Sequence, residues 1–392
     1  MAMRVLHTAD WHVGKRLFGI DRLSEMAAVL AEIRGVAERE AVDAVLVAGD
    51  VIDRRIIEPD VLAVCLTGLQ ALASFAPVVV VTGNHDDPGF WKALRPYLEP
   101  SGIHMVCEIA APADSVRTIE TRSGELHVAC LPWPEPAALR LEFSAKAEGA
   151  HLRYADLVAD LIDGYAAVLR QTRTGRGGAA VLMGHLMVEH ATAGGGEREL
   201  TLAETYAVKS GRLPTDLDYV ALGHIHKPQA LPGFNAQGRY CGSPLQLDFG
   251  EATTAPEVLI VDIEPGSPTA IRSVPLTAGQ RLMRIRGSLD DLASYASAHG
   301  DGWFYVEVEL DHVVPDLVRV VRELVPSALR VEPRYARDSA RTADVPEGAS
   351  LTRTGGGIDD LYREWYAATD RPLHPEHAAA FSMAVATATE DE

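Results

Sequence analysis

The stretch VVVVTGNHD, residues 78–86, joins a run of valines to a polar tetrapeptide. Valine favours extended backbone, and a short run that is apolar throughout is typical of a strand buried on both faces of a sheet. Directly after this run come Gly83, Asn84, His85 and Asp86, whose side chains include oxygen and nitrogen ligands. The stretch therefore predicts an α/β fold in which a buried strand ends at a polar site.

Four other segments repeat this arrangement of an apolar run followed by potential ligands. Together with residues 78–82, the predicted strands are residues 4–8, 44–48, 179–183 and 219–222. The motifs that follow them are Asp10-Trp11-His12, Gly49-Asp50, Gly184-His185 and Gly223-His224-Ile225-His226. Because sites in open α/β sheets form beyond the carboxyl ends of strands, we expect the five motifs to converge. Glycine occurs in four of them, which indicates sharp turns and close approach of backbone to the site.

Seven side chains in these motifs have the chemistry of metal ligands. The predicted ligands are Asp10, His12, Asp50, Asn84, His185, His224 and His226. A single histidine beside a turn is more often a packed residue, but the joint occurrence of seven ligands favours two divalent cations. We expect the Asp50 carboxylate to bridge both ions, with three further ligands completing each site: Asp10, His12 and His226 at one, and Asn84, His185 and His224 at the other. Nitrogen and oxygen ligands without thiolates suit manganese or iron better than structural zinc.

Paired divalent cations imply phosphoester hydrolysis, because a phosphodiester anion needs charge neutralisation and an activated water. His85 follows a predicted ligand and could donate a proton or a hydrogen bond to the scissile phosphate. We expect Asp86 to fix the tautomer of His85, which makes both of them predicted catalytic residues. The chain has no Gly-x-Ser-x-Gly motif that would favour a serine nucleophile instead.

Composition places the chain among ordinary globular proteins, with 392 residues, four scattered cysteines and a formal net charge of −19. The cysteines predict neither a disulfide framework nor a zinc site, so a reducing cytoplasm is expected, and no export signal or membrane span is predicted. The negative charge opposes nucleic-acid binding, which needs a basic surface. Five basic residues near the first two motifs are nevertheless predicted DNA contacts: Lys15, Arg16, Arg22, Arg54 and Arg55. Ordinary solvated surface charge is the alternative for them.

Hydrophobic periodicity divides the chain into four predicted parts. Residues 1–270 contain the five motifs, residues 280–336 alternate strand and helix patterns in a βαβαβ module, and residues 337–357 indicate a linker. In residues 358–392, apolar side chains at helical spacing predict amphipathic helices that either pack on the chain or dock on a partner, with a frayed tail as a third option. The predicted partner-binding residues are Ile358, Leu361, Tyr362, Trp365, Tyr366 and Phe381.

The order Asp-x-His, Gly-Asp, Gly-Asn-His-Asp, Gly-His and Gly-His-x-His over residues 1–265 resembles the calcineurin-like metallophosphoesterases. Within that superfamily, residues 6–12, 197–200, 221–229 and 242–244 resemble the SbcD family of bacterial nuclease subunits. The resemblance implies an α/β fold: a metallophosphoesterase-type β-sandwich flanked by helices, then a small α+β capping domain that contacts DNA, then a C-terminal helical hairpin. One departure is the glycine triplet at residues 194–196, where a serine or another polar residue is expected.

The resemblance also implies an activity and partners. The activity would be that of a manganese-dependent 3′-to-5′ double-strand exonuclease and single-strand endonuclease, acting on DNA ends and hairpins in repair and recombination. The chain would work as a homodimer within a heterotetramer, with an SbcC-type coiled-coil ATPase gripped by the hairpin, at the nucleoid and without a membrane partner. Two alternatives are a small-molecule phosphodiesterase of the same superfamily and a scaffold that has lost its metals. The first usually lacks the additional module and hairpin, and retention of every ligand argues against the second.

Overall fold

Two six-stranded sheets, packed face to face, form the larger part of the protein. The computed structural model describes residues 2–136, 139, 154–197, 207–234, 237–264, 267–312 and 314–335, together with residues 362, 375, 377, 378 and 381. Met1–Tyr335 forms one compact unit and Ala336–Glu392 forms another.

The strands of the described residues follow one another along the first unit. They are β1 (Met3–Thr8), β2 (Arg16–Leu17), β3 (Ile20–Asp21), β4 (Ala44–Ala48), β5 (Val78–Val81), β6 (Ile103–Val106), β7 (Val116–Thr121), β8 (Gly124–Leu131), β9 (Ala179–His185), β10 (Tyr219–Gly223), β11 (Gln229–Ala230), β12 (Gly238–Tyr240), β13 (Glu257–Ile263), β14 (Ala270–Pro275), β15 (Leu282–Gly287), β16 (Trp303–Leu310) and β17 (Ala328–Tyr335). The α-helices are α1 (Leu23–Arg39), α2 (Pro59–Ala73), α3 (Pro88–Leu98), α4 (Tyr154–Arg176), α5 (Leu289–His299) and α6 (Leu317–Leu324). The five strands predicted beside the ligand motifs are confirmed as β1, β4, β5, β9 and β10.

Strand direction brings the ends of these five strands to two neighbouring sheet edges. The first sheet has the order β14-β13-β1-β4-β5-β6, in which β1, β4 and β5 run parallel. The second sheet has the order β11-β12-β10-β9-β8-β7, in which β9 and β10 run parallel. Parallel neighbours end at the same edge, so three motifs leave the first sheet together and two leave the second together.

Burial on both faces explains why the central strands are apolar throughout rather than alternating. In β4, Val45 and Val47 pack with the helices α1 and α2, whereas Leu46 and Ala48 pack against the second sheet. Helix α4 covers the outer face of the second sheet with an apolar stripe that includes Ile162. The layers are therefore helices, sheet, sheet and helix, which confirms the expected α/β sandwich. Full burial of each such aliphatic side chain contributes about 1.5–3 kcal/mol.

Helix α3 begins immediately after the polar tetrapeptide and fixes its position. Asp87 is the N-cap, and its carboxylate accepts a hydrogen bond from the N–H of Phe90 at 3.0 Å. Pro88 occupies the first helical position, where its missing N–H costs nothing. The buried Trp91 of this helix donates its indole N–H to Asp86 at 3.2 Å. The start of α3 therefore anchors the loop that carries the predicted ligand Asn84.

A smaller sheet follows the sandwich in the same compact unit. Its strands β15, β16 and β17 are all parallel, and α5 and α6 pack on it around the fully buried Leu292 and Val321. The predicted βαβαβ order of elements in this region is confirmed. The Gln246 side chain accepts a hydrogen bond from the N–H of Leu282 at 2.7 Å, which attaches β15 to the sandwich.

In the C-terminal unit the described residues have helical backbone. The rings of Tyr362 and Phe381 stack with centroids 3.8 Å apart and planes 4° from parallel. A straight helix rises about 1.5 Å per residue and would hold these two rings far apart, so they belong to different helical segments. The other predicted partner-binding residues lie outside the described residues: Ile358, Leu361, Trp365 and Tyr366. Among the helices that the structure describes, none combines the length and the apolar surface of a membrane span.

Candidate metal centre

The predicted ligands lie where the five strands end. Asp10, Asp50 and Asn84 stand in the loops directly beyond β1, β4 and β5, at one edge of the first sheet. In the second sheet, His185 is the last residue of β9 and His224 follows β10. All five side chains are buried, with at most 5% of the residue exposed. The structure thus brings the motifs from both sheets to one place.

One group of ligand atoms surrounds His12. Its Nε2 lies 3.2 Å from Nε2 of His226 and 3.4 Å from Oδ2 of Asp50. Asp10, His12 and His226 each offer a ligand atom within 4.8 Å of the others. Two imidazole nitrogens at this separation can share at most one hydrogen, so at least one of them presents a lone pair to the space between them. These residues fit a bound cation.

A second group surrounds Asn84. Its Oδ1 lies 3.0 Å from Nε2 of His185 and 3.1 Å from Nδ1 of His224. Nε2 of His185 is also 3.4 Å from Oδ2 of Asp50, the same oxygen that approaches His12. Asp50 therefore lies between the two groups. The donor set consists of nitrogen and oxygen atoms only and fits two hard or borderline divalent cations.

Four of the predicted ligands have left-handed backbone, which is uncommon for residues other than glycine. Their φ angles are 52° at Asp10, 45° at His12, 49° at Asp50 and 98° at His224. Such conformations cost about 1–3 kcal/mol each and persist only where the surrounding structure enforces them. Here the N–H of Asp10 donates to the carbonyl of Gly49 at 3.0 Å, and the N–H of His12 donates to the carbonyl of Asp50 at 2.9 Å.

Glycine in the motifs permits the close approach of these loops. A Cβ on Gly49 would overlap the imidazole of His185, and a Cβ on Gly83 would overlap the carboxylate of Asp50. The φ of Gly49 is 92°, so this position also needs a residue that tolerates left-handed backbone. The predicted approach of backbone to the site is confirmed at both positions.

Burial and charge pairing set the protonation of the site. Burial raises the pKa of Asp10 to about 7. Burial acts in the same direction on Asp50, but the charge of His185 and its hydrogen bond hold the pKa of Asp50 well below its ordinary value. Conversely, burial opposes charge on His185, but the Asp50 carboxylate raises the pKa of this imidazole to about 9. Burial lowers the pKa of His224 to about 3, so its ring is neutral at neutral pH.

His85 lies beside the first group of ligands. Its ring centroid is 4.5 Å from that of His12. The backbone N–H of His85 donates to Oδ1 of Asp50 at 2.8 Å. The predicted role of Asp86 in fixing the His85 tautomer is wrong. The atom next to Nδ1 of His85 is instead the carbonyl oxygen of Asp53, at 2.8 Å. A carbonyl only accepts, so it places the ring hydrogen on Nδ1.

Asp86 anchors two loops rather than the ring of His85. Its Oδ2 accepts from the N–H of Val51 at 3.2 Å and of Gly83 at 2.9 Å. Its Oδ1 accepts from the N–H of Ile52 at 3.0 Å and from the indole of Trp91. These bonds connect the loop of Asp50 to the loop of Asn84. A buried carboxylate is needed here because it alone can satisfy four converging donors.

Among the predicted DNA contacts, Arg22 is misplaced. It is 3% exposed, and its guanidinium donates to both carboxylate oxygens of Glu25 and to the carbonyl of Gln246. It is therefore a structural residue and not a DNA contact. Lys15 and Arg54 remain beside the site, with Lys15 Nζ 3.4 Å and Arg54 Nε 3.6 Å from the Asp53 carboxylate. The other two, Arg16 and Arg55, are exposed.

Three residues around the site were missed in the sequence. Oδ1 of Asp53 lies 3.3 Å from Nδ1 of His12, and its position three residues after Asp50 was the only available signal. The ring of Trp133, which is half-buried, lies 5.1 Å from that of His224. The carboxylate of Glu251 contacts His226, and none of the motifs found in the sequence includes Glu251.

The fold and the converging ligands are those of a metallophosphoesterase. Residues 3–228 match the family described as calcineurin-like phosphoesterase, and residues 278–368 match the family described as type 5 capsule protein repressor C-terminal domain. The SbcD subunit of nuclease SbcCD from Bacillus subtilis (strain 168) is 30% identical, over 100% of this chain and 99% of that protein. The protein of the same name from Rhodobacter capsulatus is 29% identical, over 90% of this chain and 92% of that protein. The one from Escherichia coli (strain K12) is 26% identical, over 86% of this chain and 85% of that protein. The chain belongs to the calcineurin-like phosphoesterases and, within them, to the SbcD family of nuclease subunits.

Proposed function

We propose that this chain is a two-metal phosphodiesterase that cleaves DNA and uses Mn²⁺ as its cofactor. The observation that carries the proposal is the meeting of seven buried nitrogen and oxygen ligands at the strand ends of both sheets. The names of the relatives, which are nucleases, support DNA as the substrate. The activity would combine 3′-to-5′ exonuclease action on duplex ends with endonuclease action on single strands and hairpins.

The two cations would share Asp50, because one of its oxygens lies 3.4 Å from Nε2 of both His12 and His185. The remaining ligands of one ion would be Asp10, His12 and His226. The remaining ligands of the other ion would be Asn84, His185 and His224. When bound, paired divalent cations neutralise phosphate charge and lower the pKa of a water that attacks phosphorus. A set of oxygen and imidazole ligands without thiolate is consistent with Mn²⁺.

His85 is the proposed donor to the scissile phosphate. The Asp53 carbonyl holds the hydrogen of Nδ1 and so orients the ring. A proton on Nε2 would then allow His85 to donate to a phosphate oxygen or to the leaving oxygen. The backbone N–H of His85 also donates a hydrogen bond to Asp50, which holds this residue close to the ligand that both ions would share.

Basic residues at the mouth of the site would hold the DNA backbone. Lys15 and Arg54 flank Asp53, and the exposed Arg16 and Arg55 would add further positive charge. Contacts of this kind position the nucleic acid without reading its sequence. They would also offset, close to the site, the net charge of −19 of the whole chain.

The proposed partner is an SbcC-type coiled-coil ATPase, with two copies of this chain in a heterotetramer. The relatives are named as subunits of a nuclease called SbcCD, which supports this partner. We assign the nuclease to residues 1–270, a DNA-capping domain to 280–336, a linker to 337–357 and partner binding to 358–392. The stacked pair Tyr362 and Phe381 supports a helical hairpin in the last part.

A nuclease assay on the purified chain with its ATPase partner tests this function. Linear duplex DNA labelled at either end, a hairpin and a single-stranded circle would be incubated with Mn²⁺, Mg²⁺ or Zn²⁺, with and without ATP. We expect Mn²⁺-dependent shortening from the 3′ end, and none with the matched variant Asp50→Asn. Hydrolysis of mononucleotide diesters without cleavage of any DNA would reject the proposal in favour of a small-molecule phosphodiesterase.

A further inference from the structure

A buried carboxylate outside the predicted ligand set contacts one predicted ligand. Glu251 is 2% exposed, and its Oε1 lies 2.9 Å from Nδ1 of His226. Its Oε2 accepts from the N–H of Leu247 at 2.8 Å, so the carboxylate itself is held. The opposite nitrogen of the ring, Nε2 of His226, faces His12. A carboxylate bonded to the far nitrogen fixes the tautomer and the angle of a metal-binding imidazole.

The segment that carries Glu251 touches both the metal centre and the small sheet. Ser243 donates its hydroxyl to the carbonyl of Asp10 at 2.8 Å. The Gln246 side chain donates to the carbonyl of Glu251 at 2.8 Å and accepts from the N–H of Leu282, the first residue of β15, at 2.7 Å. One short segment therefore joins two predicted ligands to the first strand of the small sheet.

Phe249 strengthens the attachment of this segment to the small sheet. Its carbonyl accepts from Nε of Arg284 at 3.0 Å, and its ring centroid lies 5.7 Å from that of Tyr305. The guanidinium of Arg284 also lies over the Tyr305 ring, 4.7 Å from its centroid. Both partners belong to the small sheet, so that sheet fixes the turn from which Glu251 projects.

The glycine triplet at residues 194–196 closes over the pair formed by His226 and Glu251. A Cβ on Gly196 would lie 2.8 Å from Nδ1 of His226 and 2.7 Å from Oε1 of Glu251. A Cβ on Gly194 would lie 3.1 Å from Cβ of His226. A serine at residue 196 would therefore separate the pair, which gives the departure from the expected polar residue a physical reason. The backbone of the triplet can instead cover the bond and limit competition from water.

We propose that Glu251 is a positioning residue that holds His226 for metal binding and connects that metal site to the small sheet. This inference rests on the proposed two-metal function, but it concerns only one of the two ions. Loss of such a carboxylate typically lowers metal affinity by about 10–100-fold. The site of Asn84, His185 and His224 is carried by β5, β9 and β10 rather than by this segment, so its affinity should not change.

A titration of the metal-free full chain with Mn²⁺ tests the proposal, with free Mn²⁺ followed by electron paramagnetic resonance. We expect two tight sites in the wild type. In Glu251→Ala one site should weaken by about 10–100-fold while the other is unchanged. Glu251→Gln should show a smaller loss, because its amide oxygen still accepts from His226. The control Glu257→Gln replaces a carboxylate on β13 that accepts a hydrogen bond from Ser273. This variant should bind Mn²⁺ at both sites with wild-type affinity.

Gly196→Ala provides a second variant that keeps the carboxylate but crowds the pair, and it should weaken the same site. Two unchanged sites in Glu251→Ala would overturn the positioning role while leaving the two-metal function intact. Equal weakening of both sites would also overturn it, because that result indicates a general loss of structure. A wild-type chain that binds no Mn²⁺ would instead reject the proposed function itself, and this inference with it.

Discussion

Replacing Asp86 by asparagine tests whether this residue is the anchor of the metal centre. The carboxylate is 1% exposed, and each of its oxygens accepts two buried N–H groups. Asparagine has the same shape but only one oxygen, so two of the four donors would face its NH₂ group. The substitution therefore removes two hydrogen bonds and leaves two buried donors unsatisfied without creating a cavity.

The expected loss of stability follows from those two donors. A buried donor without an acceptor costs about 1–3 kcal/mol, so the pair costs about 2–6 kcal/mol. Relaxation of the two loops favours the lower half of this range, about 3 kcal/mol. Because 1 kcal/mol shifts Tm by about 2 °C in a domain of this size, we expect Tm to fall by about 6 °C.

Thermal unfolding followed by circular dichroism in EDTA at pH 8 measures this effect without a contribution from bound metal. Burial raises the pKa of Asp86 to about 6, so its carboxylate is ionised at this pH. Asp87→Asn is the matched control, because asparagine caps a helix as well as aspartate does. Its free energy of unfolding should stay within about 0.5 kcal/mol of the wild-type value. An Asp86→Asn protein that has the wild-type Tm but no longer cleaves DNA would refute the anchoring role and favour a catalytic role instead.

Three further predictions follow from the positions of single residues and from the C-terminal segment. His85→Ala should still bind two Mn²⁺ ions but lower kcat by about 10²–10⁴-fold, and loss of metal from this variant would contradict its role as a donor. Arg22→Ala should lower the free energy of unfolding by about 3 kcal/mol, because Glu25 loses its cation and keeps only the donors of Gln280 and Trp303, and the buried carbonyl of Gln246 loses the guanidinium. Replacement of the exposed Arg54 by alanine should not change stability and should only weaken DNA binding and reduce the salt dependence of that binding. Similar unfolding curves for these two variants would show that Arg22 is not structural. Deletion after Gly357 should leave Tm and Mn²⁺ binding unchanged but abolish capture of the ATPase partner in a pull-down, and recovery of the partner would reject this assignment.

The sequence was informative about the strands and the ligands because each carries its own local signal. The valines of β5 are buried on both faces, so their apolar run needs no partner to be recognised. The ligands Asp50 and Asn84 follow the parallel strands β4 and β5, and His185 and His224 lie at the ends of the parallel strands β9 and β10. Convergence within each sheet could therefore be predicted from strand direction, whereas the meeting of the two sets depends on how the two sheets pack.

Contacts that depend on side-chain direction could not be predicted in this way. Asp86 is adjacent to His85 in the chain, yet its carboxylate turns to four backbone and indole donors, and the carbonyl of Asp53 reaches the ring instead. Arg22 looks like surface charge in the sequence, but tertiary packing buries it against Glu25. Glu251 meets His226 through tertiary contacts of its turn with Leu247, Gln246 and the small sheet, and no local sequence pattern encodes them.

Anomalous scattering from crystals of the full chain soaked in Mn²⁺ would locate the metal ions themselves. We expect two manganese peaks among the seven buried ligands, both next to Asp50. One should be ligated by Asp10, His12 and His226, and the other by Asn84, His185 and His224. A pocket without manganese under saturating conditions, or a single peak that leaves either set without an ion, would contradict the two-metal site.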